Sequence, residues 1–181
     1  MAVIRISGHP GAGKTTLAKR LAEALQYTYF YNGGVLRQMA AERGMSIEDF
    51  YREVAGNPTL EKSVDEQSER LMEQNDKLIV EGRMAPFQKT PFKAVNIFLK
   101  VSPQEGARRQ SLRIENAGKA IPEIERLTKE RVLNERAHYK QLYGIEDHFD
   151  ESKFDIVLDT THTTLEETFR LTLNRLKDLG I

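Results

Sequence analysis

The 181-residue chain contains no cysteine, which excludes zinc ribbons, thiol catalysis and a disulfide scaffold and fits a reducing compartment. It also lacks a long hydrophobic run: nothing approaches the roughly 18 consecutive apolar residues of a membrane helix. The N-terminal Met1-Ala2-Val3-Ile4-Arg5-Ile6-Ser7 is too short an apolar stretch for a signal peptide and is interrupted by Arg5. A cytoplasmic protein with no membrane partner is expected. An excess of either charge is absent as well, since 27 basic side chains meet 27 acidic ones, which argues against a protein that coats a nucleic-acid polymer. What remains is enough to fold. Leu, Ile, Val and Phe supply 46 residues, about a quarter of the chain and above the roughly one fifth below which disorder is expected. The length suits a single domain, 1–181, that buries around 70% of its unfolded surface without cross-links.

The neutrality is zoned. Residues 1–40 carry a net +4 and residues 83–140 a net +7, whereas 41–75 and 141–181 each carry −5. Such zoning favours a pocket that concentrates positive charge on a few phosphates.

Val3-Ile4-Arg5-Ile6, a Gly/Pro-rich loop, and Leu17, Leu21 and Leu25 at intervals of four read as strand, loop, helix. Tyr27–Tyr31 reads as a second strand, followed by Asn32-Gly33-Gly34 and a helix with Leu36, Met39 and Ala40 that Gly44 stops. Ser46-Ile47-Glu48-Asp49 resembles a capping box opening a further helix, Asn57-Pro58-Thr59 punctuates it, and Val64, Ser68, Leu71 and Met72 form one stripe of the next. Leu78-Ile79-Val80 and Val95–Leu99 read as buried parallel strands. Ser102-Pro103-Gln104-Glu105 supplies N-cap, N1 proline and N3 glutamate of a helix ending at Asn116-Ala117-Gly118-Lys119. A polar helix over roughly 122–143, a last strand at Phe154–Leu158 and a helix with Leu165, Phe169, Leu173 and Leu176 complete the chain. Five strands alternating with helices predict an α/β fold, a parallel sheet covered on both faces.

Gly8-His9-Pro10-Gly11-Ala12-Gly13-Lys14-Thr15 fits the phosphate-binding pattern G-x-x-x-x-G-K-[ST] between a strand and a helix. Its backbone N–H groups would cradle phosphate oxygens, Lys14 would reach the β and γ phosphates, and the Thr15 hydroxyl would meet Mg²⁺. Glu81, at the end of a buried strand, would hold a water of that ion. Motors, GTPases, ATPases and kinases share this loop, so the acceptor must be read elsewhere. Arg37 and Arg83 fall near the carboxyl edge of the sheet, where planar guanidinium forks suit a second phosphate. Arg109 and Arg113 stand four apart and would share a helix face; such a pair repels unless an anion lies between. Arg108, Arg126, Arg131 and Arg136 crowd the same region, and for most of the second helix a solvated, Glu-laced surface suffices. A hinged, arginine-bearing lid would exclude water before phosphoryl transfer.

The chain resembles the nucleoside monophosphate kinases, and within them the cytidylate kinases of archaeal type. The resemblance rests on Gly8–Thr16, on Tyr31-Asn32-Gly33-Gly34-Val35-Leu36-Arg37, on Met45–Phe50 with Asn57-Pro58, and on Val80-Glu81-Gly82-Arg83. It continues through Glu130-Arg131, Tyr139–Ile145 and Asp155–Thr161. It implies a P-loop kinase fold with a five-stranded sheet in order 2-3-1-4-5, a monophosphate-binding helical region at 34–75 and a short lid at about 108–136. It also implies transfer of the γ-phosphoryl of ATP, with Mg²⁺, to CMP or dCMP; a monomer or weak dimer is expected. By position, Gly8, Gly11, Ala12, Gly13, Lys14, Thr15 and Thr16 would hold ATP, with Thr160 and Thr161 beside its adenine. Arg37 and Arg83, with Gly33, would hold the monophosphate, and Arg131 matches a lid arginine; Arg109 and Arg113, singled out by their spacing, would act beside it. Two departures stand out. Tyr31-Asn32-Gly33-Gly34 replaces the family's usual residues on the acceptor side, and His138, read as a surface histidine, stands where a lid arginine is common. Two rivals remain on the residues alone: a P-loop kinase for another acceptor, and an ATP-binding assembly factor.

Overall fold

The computed structural model describes residues 1–45, 49, 50 and 58–181. Strands β1 (Val3–Gly8), β2 (Thr28–Tyr31), β3 (Leu78–Glu81), β4 (Ala94–Lys100) and β5 (Ile156–Asp159) form one parallel sheet in the order β2-β3-β1-β4-β5. Among the described residues the helices are α1 (Lys14–Leu25), α2 (Asn32–Glu42), α3 (Pro58–Gln74), α4 (Pro103–Ser111), α5 (Ile121–Tyr143) and α6 (Leu165–Asp178). None is long and apolar enough to cross a membrane. The parallel sheet, its order and the helical alternation are as expected from the sequence. The capping box at Ser46–Asp49, most of the helix it would open and the break at Asn57 fall outside the described residues, as does the side chain of Val64.

Alternation along the strands builds two cores. Ile4, Ile6, Ile79, Ile97 and Leu99 pack with Leu17 and Leu21 of α1 and Leu176 of α6. Val3, Leu78 and Val80, pointing the other way, pack with Met72 of α3 and Ala85. Burying both faces is what makes these strands continuously apolar.

Two boundaries differ from the reading above. Helix α2 starts at Asn32, so Gly33 and Gly34 lie in its first turn and are not a linker before it. A Cβ on either would meet the Tyr31 ring at 2.8 Å, so the glycines seat that ring on the helix start. Helix α4 opens as expected, with the Ser102 hydroxyl accepting from the Glu105 N–H, but it stops at Ser111. The carbonyl of Gln110 takes the side-chain amide of Asn116 at 3.0 Å and the N–H of Arg113 at 3.1 Å in place of a continuing helical bond. Arg113 is therefore extended, at φ −87° and ψ 144°.

The phosphate loop is fixed by backbone contact. A Cβ on Gly11 would lie 2.4 Å from the carbonyl oxygen of Gly106, and one on Gly106 would lie 2.9 Å from that of Pro10. Only glycines allow the loop to rest directly on the first turn of α4.

Candidate active site

Register places Tyr31 beside Glu81 and Glu81 beside Ile6, so the carboxyl ends of β2, β3 and β1 form one edge. Open α/β sheets bind ligands outside such an edge. A pocket there is lined by Gly11, Gly13, Lys14, Thr15 and Thr16, by Gly33, Arg37, Glu81 and Arg83, and by Arg113 and Arg131. Gly8 lies behind it and contributes its carbonyl.

Gly13, at φ 86°, turns the loop into the amino end of α1, where unpaired N–H groups and the helix dipole favour an anion. The half-buried Lys14 ammonium donates to the carbonyls of Gly8 at 2.9 Å and His9 at 2.8 Å. Desolvation, and then the charge of Arg83, push its pKa well below that of an ordinary lysine, against the pull of Glu81. Glu81 accepts from the Thr15 hydroxyl at 2.8 Å and from the Tyr29 hydroxyl at 2.5 Å. Burial and that carboxylate push the Tyr29 phenol up, so it stays a donor. His9 of the loop sits with Nδ1 3.1 Å from the Val101 carbonyl, its ring between Phe98 and Phe149; burial lowers its pKa and keeps it neutral.

Arg83 and Arg131 meet on one carboxylate. Each donates through Nε to Glu135, at 2.9 and 2.8 Å. Arg83 also donates through Nη1 to the Gly8 carbonyl and lies over the Phe149 ring, 5.1 Å from its centroid. The Glu135 side chain is only 12% exposed. Burial opposes its ionisation, but the charges of Arg83 and Arg131 prevail and hold it at about 2. Behind it, Nε2 of the wholly buried His148 lies 3.8 Å away, and burial, with Arg83 adding to it, pushes that imidazole down to about 4. Arg37 donates to the Tyr31 hydroxyl at 2.6 Å and reaches Glu115 at 3.5 Å.

A second pocket adjoins the loop, lined by Ala12, Gly13, Thr16, Arg108, Arg109, Thr160 and Thr161. Arg109 donates to the carbonyl of Thr160 at 2.5 Å, to its hydroxyl at 3.2 Å and to Glu105 at 2.7 Å. The expectation that Arg109 and Arg113 share a helix face is thereby corrected. The helix ends between them, and they line different pockets. The other basic side chains fit the solvated reading: Arg126 pairs with Glu130 and Arg136 with Asp147, all exposed. His138 is half-exposed beside Tyr139.

A family model described as an AAA domain matches residues 4–132. The cytidylate kinase of Pyrobaculum neutrophilum is 34% identical over 96% of this chain and 92% of its own. That of Methanopyrus kandleri is 37% identical over 93% and 90%. The chain belongs to the cytidylate kinase family. It is thus a P-loop enzyme, a nucleoside monophosphate kinase. Solved structures agree on the fold: a shikimate kinase from Bacteroides thetaiotaomicron superposes with a TM-score of 0.63 at 17% identity, covering 97% of this kinase and 98% of that chain. A gluconokinase from Sinorhizobium meliloti gives 0.60 at 20% identity, covering 98% and 93%.

The sequence reading of this kinase missed Glu135, taken as part of a solvated helix, and His148. Its spacing from Arg131, four residues along α5, was visible; the approach of Arg83 from 52 residues away was not.

Proposed function

We propose that this kinase transfers the γ-phosphoryl group of ATP to CMP or dCMP. The observation that carries the reading is the convergence of Arg37, Arg83, Arg113 and Arg131 with the phosphate loop on one pocket, more cationic donors than one triphosphate requires. Gly8–Thr16 would hold the triphosphate of ATP, and the pocket bordered by Thr160, Thr161 and Arg109 would take its adenine. Arg37 and Arg83 would grip the acceptor phosphate, with Gly33 beside them. Arg113 and Arg131 would spread charge over the equatorial oxygens of the transferring group, where positioning and electrostatics supply most of the catalysis. The stretch 34–75 would be the acceptor-binding region and 108–136 the lid.

Thr15 and Glu81 present oxygen ligands 2.8 Å apart, the donor type that suits Mg²⁺. Among the described residues no cluster of three or more His, Cys, Asp or Glu side chains could hold an ion alone, which suits a cation shared with substrate phosphates. Bound there, Mg²⁺ would neutralise charge on the phosphates. The cluster of positive groups would be self-repelling without Glu81 and Glu135, which lie in the same wall.

Coupled ADP-release assays with CMP, dCMP, UMP, AMP and GMP test the reading. Turnover stimulated chiefly by CMP and dCMP is expected. Stimulation by none of them would overturn the assignment, and UMP or AMP ahead of CMP would overturn its base.

A further inference from the structure

We propose that Phe149 is a positioning residue for the transfer, its ring being the platform that holds the Arg83 guanidinium against the phosphate loop. This inference rests on Arg83 being an arginine that grips the acceptor phosphate, as proposed above.

A guanidinium is a flat, rigid fork, so fixing it means holding both its edges and its plane. Two positions on the edge of Arg83 are accounted for. Nε donates to Glu135 at 2.9 Å, and Nη1 donates to the carbonyl of Gly8, where the phosphate loop begins. Nη2 makes no hydrogen bond among the described residues, which leaves a donor for an anion in the pocket that Arg83 lines. In-plane bonds at one side of the fork leave its plane free to tilt about them. The Phe149 ring, its centroid 5.1 Å from Cζ of Arg83, supplies the missing constraint, because the negative face of an aromatic ring attracts a cation lying over it.

The platform is itself seated on the loop. Phe149 meets the ring of His9, within the loop, at 5.1 Å and that of Phe98 on β4 at 5.4 Å, both edge to face. The wholly buried His148 packs beside it at 4.1 Å. Its main chain is tethered from the other side, because Asp147 accepts from the Phe149 N–H through Oδ1 at 2.9 Å and from Arg136 of α5 through Oδ2 at 2.5 Å. One ring therefore refers Arg83 to the loop, to β4 and to α5 at once. Phe149 is half-buried and takes no part in the pocket wall, so it reaches the acceptor only through the groups it touches. The competing role is that of a core filler beside Phe98 and His9. A filler needs apolar volume, which leucine supplies; a platform for a cation needs an aromatic face, which leucine lacks and tyrosine keeps.

The test is to measure kcat and the KM values for CMP and ATP in Phe149→Leu and Phe149→Tyr, and to repeat Phe149→Leu together with Arg83→Ala. Phe149→Leu should lower kcat/KM for CMP about fivefold and leave KM for ATP within about twofold. Phe149→Tyr should stay within about twofold of the wild type. With Arg83→Ala in place, Phe149→Leu should cost less than about twofold more, because the group it positions is gone. A loss of folded protein would lower both backgrounds alike, so the comparison isolates the coupling. The inference is overturned if Phe149→Leu matches the wild type, if its loss is undiminished beside Arg83→Ala, or if Phe149→Tyr falls as far. It is also overturned if KM for ATP rises in step, the result of a ring that supports only His9 and the loop. A near-normal Arg83→Ala enzyme, or failure of every monophosphate to stimulate ADP release, would bring down the functional reading and this inference with it. Failure at Phe149 alone leaves that reading standing.

Discussion

Glu105 and Glu135 each hold two arginines, and both carboxyls are held at about 2, yet they do so by opposite means. Glu105 sits in the first turn of α4 and takes Arg108 and Arg109, three and four residues along the same helix, through hydrogen bonds; its Arg108 partner is 55% exposed. Glu135 takes Arg131 from its own helix but Arg83 from the end of β3, and burial works against its charge. The first arrangement needs only a helix. The second needs the whole fold, because a buried charge is tolerated only where its partners are already in place. The difference separates a group beside the pocket proposed for adenine from one that sets two of the cations lining the phosphate-loop pocket.

Four measurements press on that contrast. The largest effect is expected from Arg83→Ala, which should lower kcat at saturating substrates by at least about 100-fold; a near-normal rate would reduce Arg83 to a structural strut. Next, Glu135→Gln should lower kcat about tenfold and also the melting temperature, because it leaves two guanidiniums crowded without a counter-charge. Glu105→Gln should leave kcat within about twofold, as exposed pairs do, and equal losses at both positions would erase the distinction. Third, Arg109→Ala should raise KM for ATP about fivefold with kcat for the acceptor little changed, whereas Arg113→Ala should act on kcat; matching behaviour would mean that they share a site after all.

The smallest effect concerns acid stability. His148 is shifted downward, so its neutral form stabilises the fold fully above the ordinary value of 6.5, and that contribution is lost as pH falls towards about 4. Glu135 is shifted downward as an acid, so its stabilisation is present above 4.5 and is lost as pH falls towards about 2. Melting temperature should therefore decline in two successive windows. His148→Phe should flatten the upper one alone, and an unchanged slope between pH 6.5 and 4 would show that the histidine is not its source.

The local parts of this molecule were legible in the sequence for local reasons. The phosphate loop announces itself because its glycines and Lys14 must occur at fixed spacing. The start of α4 announces itself because Ser102, Pro103 and Glu105 each satisfy a different need of a helix terminus. The end of α4 did not, since what stops it is the Asn116 side chain reaching back to Gln110, and reading the helix on past Ser111 was enough to put Arg109 and Arg113 on one face when they line different pockets. Glu135 and His148 stayed hidden for a related reason. Each looks like an ordinary helix or loop residue until the end of β3 and the segment after α5 are folded against α5.

The contact between Gly11 and Gly106 has a mechanical side. Backbone resting on backbone has no side chain to rotate or yield, so the first turn of α4 moves with the phosphate loop as one piece. If Arg113 moves with the proposed lid, the hinge must lie after Gly106, and the moving arm would be correspondingly short. A bulkier residue at either glycine would pry that anchor off the loop, and so would misplace both of the proposed nucleotide sites from a position outside either.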